Sequence, residues 1–371
     1  MSTTRPLDAA IVGIGQTEFS KDSGRSELQL AAEASLAALA DAGLGVSDID
    51  GMVTFSVDPT EDVELMRVLG VPSLGYSVRL PHGGGGSGAT VYHAAAALAT
   101  GAARQVLVYR ALNARSGRRF GQPRDPAAAP SVGSGWSFAQ WHAPYGALTP
   151  AATLSMHAMA FMRSHGLSNE DFAEYVVGIR DFAATNPSAW FHGRPITLEE
   201  HQASRWIIEP VLRLLDCCQE TDGGVAFVVS TLERARDLQQ RPAVVLGAAQ
   251  GVGAGDVAGR VYAQAGVGPS DLDAAMVYDA FSVEVFRSLE DLALCPRGEV
   301  KDFVASGAIR RGGIVPVNTN GGLIGEGYLH GMNLLTEAVR QVRGTAANQV
   351  AGARHVLMSS GRGACILGGE T

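Results

Sequence analysis

Two tyrosines occur in short motifs that a packing role alone does not explain. Tyr328 and His330 lie between glycines in the segment NGGLIGEGYLHG at 320–331, just before a helical pattern. Tyr278 and Asp279 follow an apolar strand pattern, and ligand sites of parallel sheets cluster at the carboxyl ends of strands. Tyrosine can act as an acid or a base when its neighbours lower its pKa from about 10. The motifs therefore indicate an acid–base site, although His330 fits a structural hydrogen-bonding role equally well and Tyr278 could face solvent.

A glycine-rich turn offers a second kind of site. The segment HGGGGSG at 82–88 precedes a long alanine-rich helix pattern. Consecutive glycines indicate close backbone approach or unusual dihedral angles, and the N–H groups at a helix N-terminus bind anions. Gly85, Gly86 and Ser87 are therefore candidate anion-binding or oxyanion residues. The alternative is a tight turn under a packed helix.

The cysteines and the charge balance exclude several classes of protein. The four cysteines have neither the number nor the spacing of a disulfide framework or a CxxC metal site, so we expect no metal and a reducing compartment. The net charge of -8 argues against a general nucleic-acid surface. The sequence shows no signal peptide and no apolar stretch that could cross a bilayer, which predicts a cytoplasmic protein without membrane contact.

Three sequence echoes indicate that the chain contains two copies of one module. The segment AGLGVSDID agrees with AGVGPSDLD at six of nine positions, and two shorter pairs flank it in the same order. The three pairs are 12–16 with 246–250, 42–50 with 265–273, and 102–108 with 352–358. Short apolar strand patterns alternate with helix patterns in each copy, which predicts α/β modules whose parallel sheets are covered on both faces.

The segment from about 113 to 210 has no counterpart in the second copy. It is rich in Pro, Gly, Trp and His, and we predict an inserted loop domain, a usual place for substrate selection. The predicted division is an N-terminal half at 1–236, which includes this insertion, and a C-terminal half at 237–371.

These pieces together resemble the thiolase superfamily over essentially the whole chain. Each of four motifs stands where thiolases have a characteristic sequence. GGSG at 85–88 replaces Cys-x-Ser-Gly, YDAF at 278–281 replaces Asn-Glu-Ala-Phe or His-Asp-Cys-Phe, NGG with GYL at 320–329 replaces Asn-Gly-Gly with Gly-His-Pro, and ETDGG at 220–224 resembles Asp-Gly-Ala-Ala. The resemblance implies a thiolase fold: two βαβαβαββ halves in a five-layered αβαβα core, with an inserted loop domain. It also implies a homodimer.

The departures from the thiolase pattern imply a different reaction. Gly85 replaces the nucleophilic Cys, Tyr328 replaces the catalytic His, and the segment at 360–363 carries no second Cys. An acyl-enzyme by the thiolase route is therefore excluded. The same substitutions, including Gly-Tyr-Leu-His-Gly, resemble the lipid-transfer-protein-like branch, which contains the aldolases of bacterial steroid side-chain degradation. That branch implies a retro-aldolase that cleaves a β-hydroxy acyl-CoA to a ketone and a shorter acyl-CoA such as propionyl-CoA.

The branch also implies residue roles and partners. Tyr328 and Tyr278 would divide the acid and base roles, in either order, with His330 or Asp279 tuning one of them and no cofactor beyond the CoA of the substrate. The enolate oxygen would be held by backbone N–H groups either of Gly85, Gly86 and Ser87 or of Gly361 and Gly363. The CoA phosphates would be bound by Arg115, Arg118 and Arg119, near Arg124, unless these belong to an ordinary solvated loop. The partner would be an OB-fold protein with a zinc ribbon, fused to or bound with a MaoC-like hydratase.

Two other functions stay open. One is a thiolase-like acyltransferase with a relocated nucleophile, for which Cys217, Cys218 and Cys365 are the cysteines to consider. The alternative interpretation of these cysteines is that they are small buried residues without a chemical role. The other is a non-catalytic scaffold that binds an acyl-CoA or a lipid.

Overall fold

The computed structural model describes residues 7–81, 83–117, 119–122 and 142–369. The described residues before the insertion form four strands and three helices. They are β1 (Ala10–Gln16), α1 (Glu27–Ala42), β2 (Gly51–Phe55), α2 (Asp62–Leu69), β3 (Tyr76–Leu80), α3 (Ser87–Ala99) and β4 (Gln105–Asn113). The described part of the insertion adds three helices and a small hairpin. They are α4 (Pro150–His165), α5 (Asn169–Thr185), α6 (Leu198–Ala203), β5 (Trp206–Ile208) and β6 (Leu212–Arg213).

The rest of the chain completes the first half and repeats its order of elements. The first half ends with β7 (Asp222–Ser230) and α7 (Leu232–Ala235). The second half contains β8 (Ala243–Gln250), α8 (Ala254–Ala265), β9 (Ala274–Val277), α9 (Ser282–Asp291), α10 (Val300–Ala305), α11 (Gly322–Gly325), α12 (Met332–Arg343), β10 (His355–Ser359) and β11 (Gly363–Gly368). The predicted domain boundaries at 236 and 237 stay a prediction.

Nine strands form one mixed sheet in the order β3-β2-β4-β7-β1-β8-β11-β10-β9. The pairs β2–β3, β2–β4 and β9–β10 are parallel, whereas all other neighbours are antiparallel. The prediction of wholly parallel sheets is therefore wrong. The reason is visible between β10 and β11, where a loop of residues 360–362 is too short for the crossover that a parallel pair needs.

Two central helices, α3 and α12, lie between the two halves of the sheet and contact strands of both. Helix α1 covers the outer face of the first half, and α8 and α9 cover that of the second. The small residues of α3 allow a close approach: a β-carbon on Gly88 would lie 2.4 Å from Gly363 O. Helices α4 and α5 of the insertion pack against the second half. No helix in the described part of the chain has both the length and the apolar character needed to span a membrane.

Candidate active site

The structure brings together the two tyrosines that the sequence analysis selected. Tyr278 directly follows β9, and its backbone N–H donates to Ser359 O at 2.9 Å. Tyr328 lies in the turn between α11 and α12, and its N–H donates to Thr221 Oγ1 at 2.9 Å. The two phenol oxygens lie 3.2 Å apart, within hydrogen-bond distance, although 50 residues separate them in the chain. The strand end and the glycine-flanked turn therefore form one site.

Glycines on two loops make room for the Tyr278 ring. A β-carbon on Gly84 would lie 2.1 Å from Tyr278 Oη, and one on Gly331 would lie 3.0 Å from Tyr278 Cδ2. Gly331 also has a φ of 84°, which favours glycine. Sequence analysis selected Gly85 and Gly86 and missed Gly84. The run of four glycines was the available signal, but it did not say which glycine contacts the tyrosine.

Aromatic rings of the insertion and the glycine-flanked turn close the site. The His330 ring lies edge-on to the Tyr328 ring at 4.8 Å and to the Phe120 ring at 4.7 Å. Phe120 also lies 6.0 Å from the Tyr328 ring. His330 is buried and has a φ of 51°, an unusual backbone conformation for a residue with a side chain. The insertion therefore supplies part of the wall around the tyrosine pair.

Burial raises the pKa of both phenols well above 10. The negative charge of Glu284 raises the pKa of Tyr278 further, while its hydrogen bond with Tyr328 opposes this. The neighbours therefore do not lower either tyrosine pKa in this arrangement, because both phenols are buried and the ionisable groups near them are mostly acids. Both phenols carry their protons at neutral pH.

Asp279 is engaged by Tyr175 and by the start of α11. Its Oδ2 accepts from Tyr175 Oη at 2.9 Å, and its Oδ1 accepts from Leu323 N at 2.8 Å. Burial raises the pKa of this carboxyl to about 8. A β-carbon on Gly322 would lie 2.1 Å from Oδ2, so Asp279 packs directly on the first turn of α11. Asp279 therefore holds the start of α11, the helix that precedes Tyr328, and within the described part of the chain its carboxylate makes no hydrogen bond to either phenol of the tyrosine pair.

A buried glutamate that sequence analysis missed holds the turn of Tyr328. Glu326 Oε2 accepts from Asn320 Nδ2 at 2.5 Å and from Asn333 Nδ2 at 2.7 Å. Its Oε1 accepts from Asn186 Nδ2 at 3.2 Å. Burial raises the pKa of Glu326 to about 7. A glutamate flanked by glycines was the only sequence signal of this role.

Two of the candidate oxyanion residues have backbone N–H groups that already donate hydrogen bonds within the glycine-rich turn. The N–H groups of Gly86 and Ser87 donate to the carbonyls of Gly83 and Gly84 in a 3-10 turn, so they are engaged within the turn. The Ser87 hydroxyl donates to Gly84 O at 3.0 Å. The turn thus already uses the N–H groups of Gly86 and Ser87, and their role as oxyanion donors stays a prediction.

The two glycine loops nevertheless meet. The carbonyl of Gly85 accepts from Arg362 N at 3.1 Å and from Ser360 Oγ at 3.0 Å. A β-carbon on Gly363 would lie 2.1 Å from Ala89 N, so Gly363 serves the packing of α3 against β11. Gly361, with a φ of 86°, borders open space. A β-carbon on Gly85 would find its nearest neighbour at 3.5 Å, so the fold has room for a side chain at the thiolase nucleophile position.

Basic residues lie around Glu220. The backbone of Glu220 pairs with that of Tyr328 in an isolated parallel β-bridge. Arg119 Nε donates to Glu220 Oε2 at 2.7 Å, and Lys21 Nζ donates to Glu220 O at 2.8 Å. Burial, and then the positive charge of Arg115, lower the pKa of Lys21 to about 8. Arg118 and Arg124 lie outside the described residues. Lys21, one of only two lysines in the chain, was missed because a single lysine carries no motif.

None of the four cysteines is a thiolate candidate. Burial raises the pKa of Cys217, Cys295 and Cys365 to about 12, and that of Cys218 well above 9. Cys218 interacts electrostatically with both tyrosines and is therefore the cysteine near the site. A nucleophilic cysteine needs a lowered pKa, so the arrangement does not favour a relocated nucleophile.

Comparisons with known proteins agree with this geometry. Residues 233–367 match the family model described as "Thiolase C-terminal domain-like". The chain is 50% identical to the 17-hydroxy-3-oxo-4-pregnene-20-carboxyl-CoA lyase of Mycobacterium tuberculosis and 49% identical to the steroid side-chain-cleaving aldolase of Thermomonospora curvata, over 96% of this chain and of each relative. It superimposes on the solved structure of an Ltp2-ChsH2(DUF35) aldolase with a TM-score of 0.92 and 48% identity, over 98% of both chains. The predicted thiolase fold and aldolase branch are thereby confirmed, and this chain belongs to the steroid side-chain-cleaving aldolases of the thiolase superfamily.

Proposed function

We propose that this chain is a carbon–carbon lyase that cleaves a steroid β-hydroxy acyl-CoA to a ketone and a shorter acyl-CoA such as propionyl-CoA. The observation that carries the proposal is the 3.2 Å contact between the Tyr278 and Tyr328 hydroxyls at the site where thiolases carry out chemistry on acyl-CoA. The steroid substrate is supported by the two relatives of about 50% identity, which are a 17-hydroxy-3-oxo-4-pregnene-20-carboxyl-CoA lyase and a steroid side-chain-cleaving aldolase.

The chemistry needs only proton transfer and stabilisation of an enolate. In a retro-aldol cleavage, the β-hydroxyl loses its proton as the bond between the α and β carbons breaks, and the α carbon then takes a proton. The net change moves one proton from oxygen to carbon. Two hydrogen-bonded phenols suit this change, because one can take the hydroxyl proton while it passes its own proton to the other phenol, which donates to carbon. No covalent intermediate and no cofactor beyond the substrate's CoA is required.

We propose that the basic residues near the start of the inserted segment bind the CoA phosphates. Arg115 and Arg119 were selected from the sequence, and Lys21 joins them around Glu220. Burial and then repulsion by Arg115 lower the pKa of Lys21, while Glu220 opposes this shift, and a bound phosphate would add a negative charge that favours the Lys21 cation. Arg118 belongs to the same proposal.

We also propose the assembly that the family resemblance implies. The Ltp2-ChsH2(DUF35) structure supports a DUF35 partner, which we expect to be an OB-fold protein with a zinc ribbon that is fused to or bound with a MaoC-like hydratase. A cytoplasmic homodimer would form through β3, the outermost strand of the first half. Exposed Val57, Val63 and Val68 in the segment between β2 and β3 are consistent with a contact there. Light scattering of the purified chain tests the dimer, and a monomer at micromolar concentration would contradict it.

Product analysis tests the function itself. The chain, copurified with its DUF35 partner, is mixed with a steroid β-hydroxy acyl-CoA whose hydroxyl carbon is tertiary. The proposal predicts equal amounts of ketone and shorter acyl-CoA. Tight binding of the substrate without any ketone would instead support the scaffold function.

A further inference from the structure

Helix α5 of the insertion contacts the chain segments that carry both tyrosines of the site. In its first half, Tyr175 Oη donates to Asp279 Oδ2 at 2.9 Å, and Asp279 directly follows Tyr278. Just after its last residue, Asn186 donates to two groups of the turn that leads to Tyr328. The two contacts are about 16 Å apart along the helix axis, so one rigid element reaches both segments.

The Asn186 amide joins the two ends of the short helix α11. Its Nδ2 donates to Asn320 O at 2.9 Å and to Glu326 Oε1 at 3.2 Å. Asn320 precedes α11 and Glu326 follows it. Since Nδ2 carries two hydrogens, both donors of this buried side chain are used on the turn. The Asn186 Oδ1 accepts from Ser188 N at 3.0 Å, which fixes the plane of the amide.

Backbone hydrogen bonds continue this contact up to the residues next to Tyr328. The N–H of Trp190 donates to Glu326 O at 2.8 Å, and the N–H of Phe191 donates to Gly325 O at 3.3 Å. Tyr328 follows Glu326 after a single glycine. The chain that leaves α5 therefore holds the backbone immediately before the catalytic tyrosine.

Helix α5 also packs on α11 without side chains of α11 between them. A β-carbon on Gly321 would lie 2.6 Å from Ala183 Cβ, and one on Gly325 would lie 2.7 Å from the same atom. Protein interiors are closely packed and deform little. A shift of α5 would therefore move α11 with it.

The Tyr175 contact connects the segment of Tyr278 with the same short helix. Asn318 Nδ2 donates to Tyr175 Oη at 2.8 Å, so this buried hydroxyl accepts one hydrogen bond and donates another. Asp279, which accepts from Tyr175, also accepts from Leu323 N in α11 at 2.8 Å. Helix α5 thus holds the residue after Tyr278 directly and the start of α11 through Asp279.

We propose that Tyr175 and Asn186 are positioning residues through which α5 acts as a brace, keeping the Tyr278 and Tyr328 hydroxyls 3.2 Å apart, a role that rests on the proposed aldolase function. Each residue holds backbone beside one tyrosine and acts through that backbone. A misplacement of about 1 Å can lower a rate about 10²-fold. The brace therefore sets kcat more than the affinity for the acyl-CoA, and the insertion contributes to the chemistry as well as to substrate selection.

Steady-state kinetics with the proposed DUF35 partner test the brace. Tyr175→Phe and Asn186→Ala should each lower kcat about tenfold or more, with KM changed less than about twofold. The double variant should lose no more than the weaker single variant, because either substitution releases the same brace. Thr185→Ala is the control and should keep wild-type kinetics, since the exposed Thr185 bonds to Asn348 outside the turn. Losses that multiply in the double variant would overturn the shared brace.

Asn186→Asp separates the two N–H donors from the space that the side chain fills. Asp has the size of Asn, but its ionised carboxylate only accepts hydrogen bonds and would face Asn320 O and Glu326 Oε1. This variant should therefore lower kcat at least as much as Asn186→Ala. Wild-type kcat in Asn186→Asp would overturn the role of Asn186.

Hydrogen exchange of backbone N–H groups gives a readout that does not depend on turnover. Tyr175→Phe and Asn186→Ala should both speed exchange in 322–328, because local opening of the turn becomes easier, whereas Thr185→Ala should not. If the wild type releases no ketone, the proposed function fails while exchange still tests the brace. If ketone is released and both brace variants keep the wild-type kcat and the wild-type exchange, only the brace fails.

Discussion

Gly84 lies directly against the Tyr278 phenol, so closely that a β-carbon on Gly84 would stand 2.1 Å from Tyr278 Oη. No side-chain carbon approaches an oxygen that closely without one of them moving. The neighbouring Gly85 stands in a different environment, since its β-carbon would meet its nearest neighbour only at 3.5 Å. Gly84 is thus required by the tyrosine, whereas Gly85 occupies the thiolase nucleophile position without being sterically required there.

The contact predicts opposite outcomes for two adjacent substitutions. Gly84→Ala should displace the Tyr278 ring and lower kcat at least about tenfold, because small misplacements of catalytic groups are costly. Gly85→Ala should leave kcat within about threefold of the wild type, since its methyl group meets only ordinary van der Waals distances. Steady-state kinetics of both variants, with circular dichroism to verify folding, check this. Equal loss in the two variants would contradict the assignment of Gly84.

The raised pKa of Asp279 predicts that the free energy of unfolding depends on pH. Its pKa is about 8 in the folded chain and about 4 when unfolded, so the folded state binds the proton more tightly. The contribution to the free energy of unfolding is therefore full below about pH 4 and is lost as the pH rises through about 8. Asp279→Asn, which does not ionise, should make the decline of stability between these pH values less steep.

Urea unfolding at several pH values measures the effect. Asp237→Asn, at an exposed aspartate, is the control and should leave the slope unchanged. Glu326 and Glu284, whose pKa values are also raised to about 7, should keep part of the decline in place. An Asp279→Asn slope identical to that of the wild type would show that Asp279 is ionised in the folded protein.

The burial of the cysteines predicts that thiol reagents do not reduce the rate of cleavage. Cys218→Ala should retain near-normal ketone release, because burial holds the Cys218 thiol in its protonated form. Brief treatment of the wild type with iodoacetamide should likewise leave activity intact. Loss of activity in Cys218→Ala together with a trapped acyl thioester would favour the acyltransferase alternative instead.

Sequence analysis predicted the parts of the site that local motifs reveal. The strand end before Tyr278 and the glycines around Tyr328 marked both tyrosines, whose hydroxyls the structure places 3.2 Å apart. Repeats and motifs also led to the thiolase fold. What these signals share is that they depend on neighbours in the chain.

The features of the site that sequence analysis did not predict depend on residues that are neighbours in space. The contact of Gly84 with Tyr278, the amides around Glu326 and the cations around Glu220 join segments that are far apart in sequence. The direction of the tyrosine pKa shifts depends on burial, which no motif displays. The antiparallel strand pairs were missed because apolar runs look alike in both kinds of sheet.

Ketone release by phenylalanine variants tests most directly whether the tyrosine pair performs the chemistry. Tyr278→Phe and Tyr328→Phe, each with the proposed DUF35 partner, are compared in single turnover with Tyr262→Phe, which removes a hydroxyl that donates to Leu292 O outside the site. The first two should cleave about 10²–10⁴ times more slowly while binding the acyl-CoA almost as tightly, because a general acid or base contributes that much to the rate. Tyr262→Phe should cleave normally. Near-normal release by both site variants, with loss in Cys217→Ala, Cys218→Ala or Cys365→Ala, would contradict the aldolase mechanism at its centre.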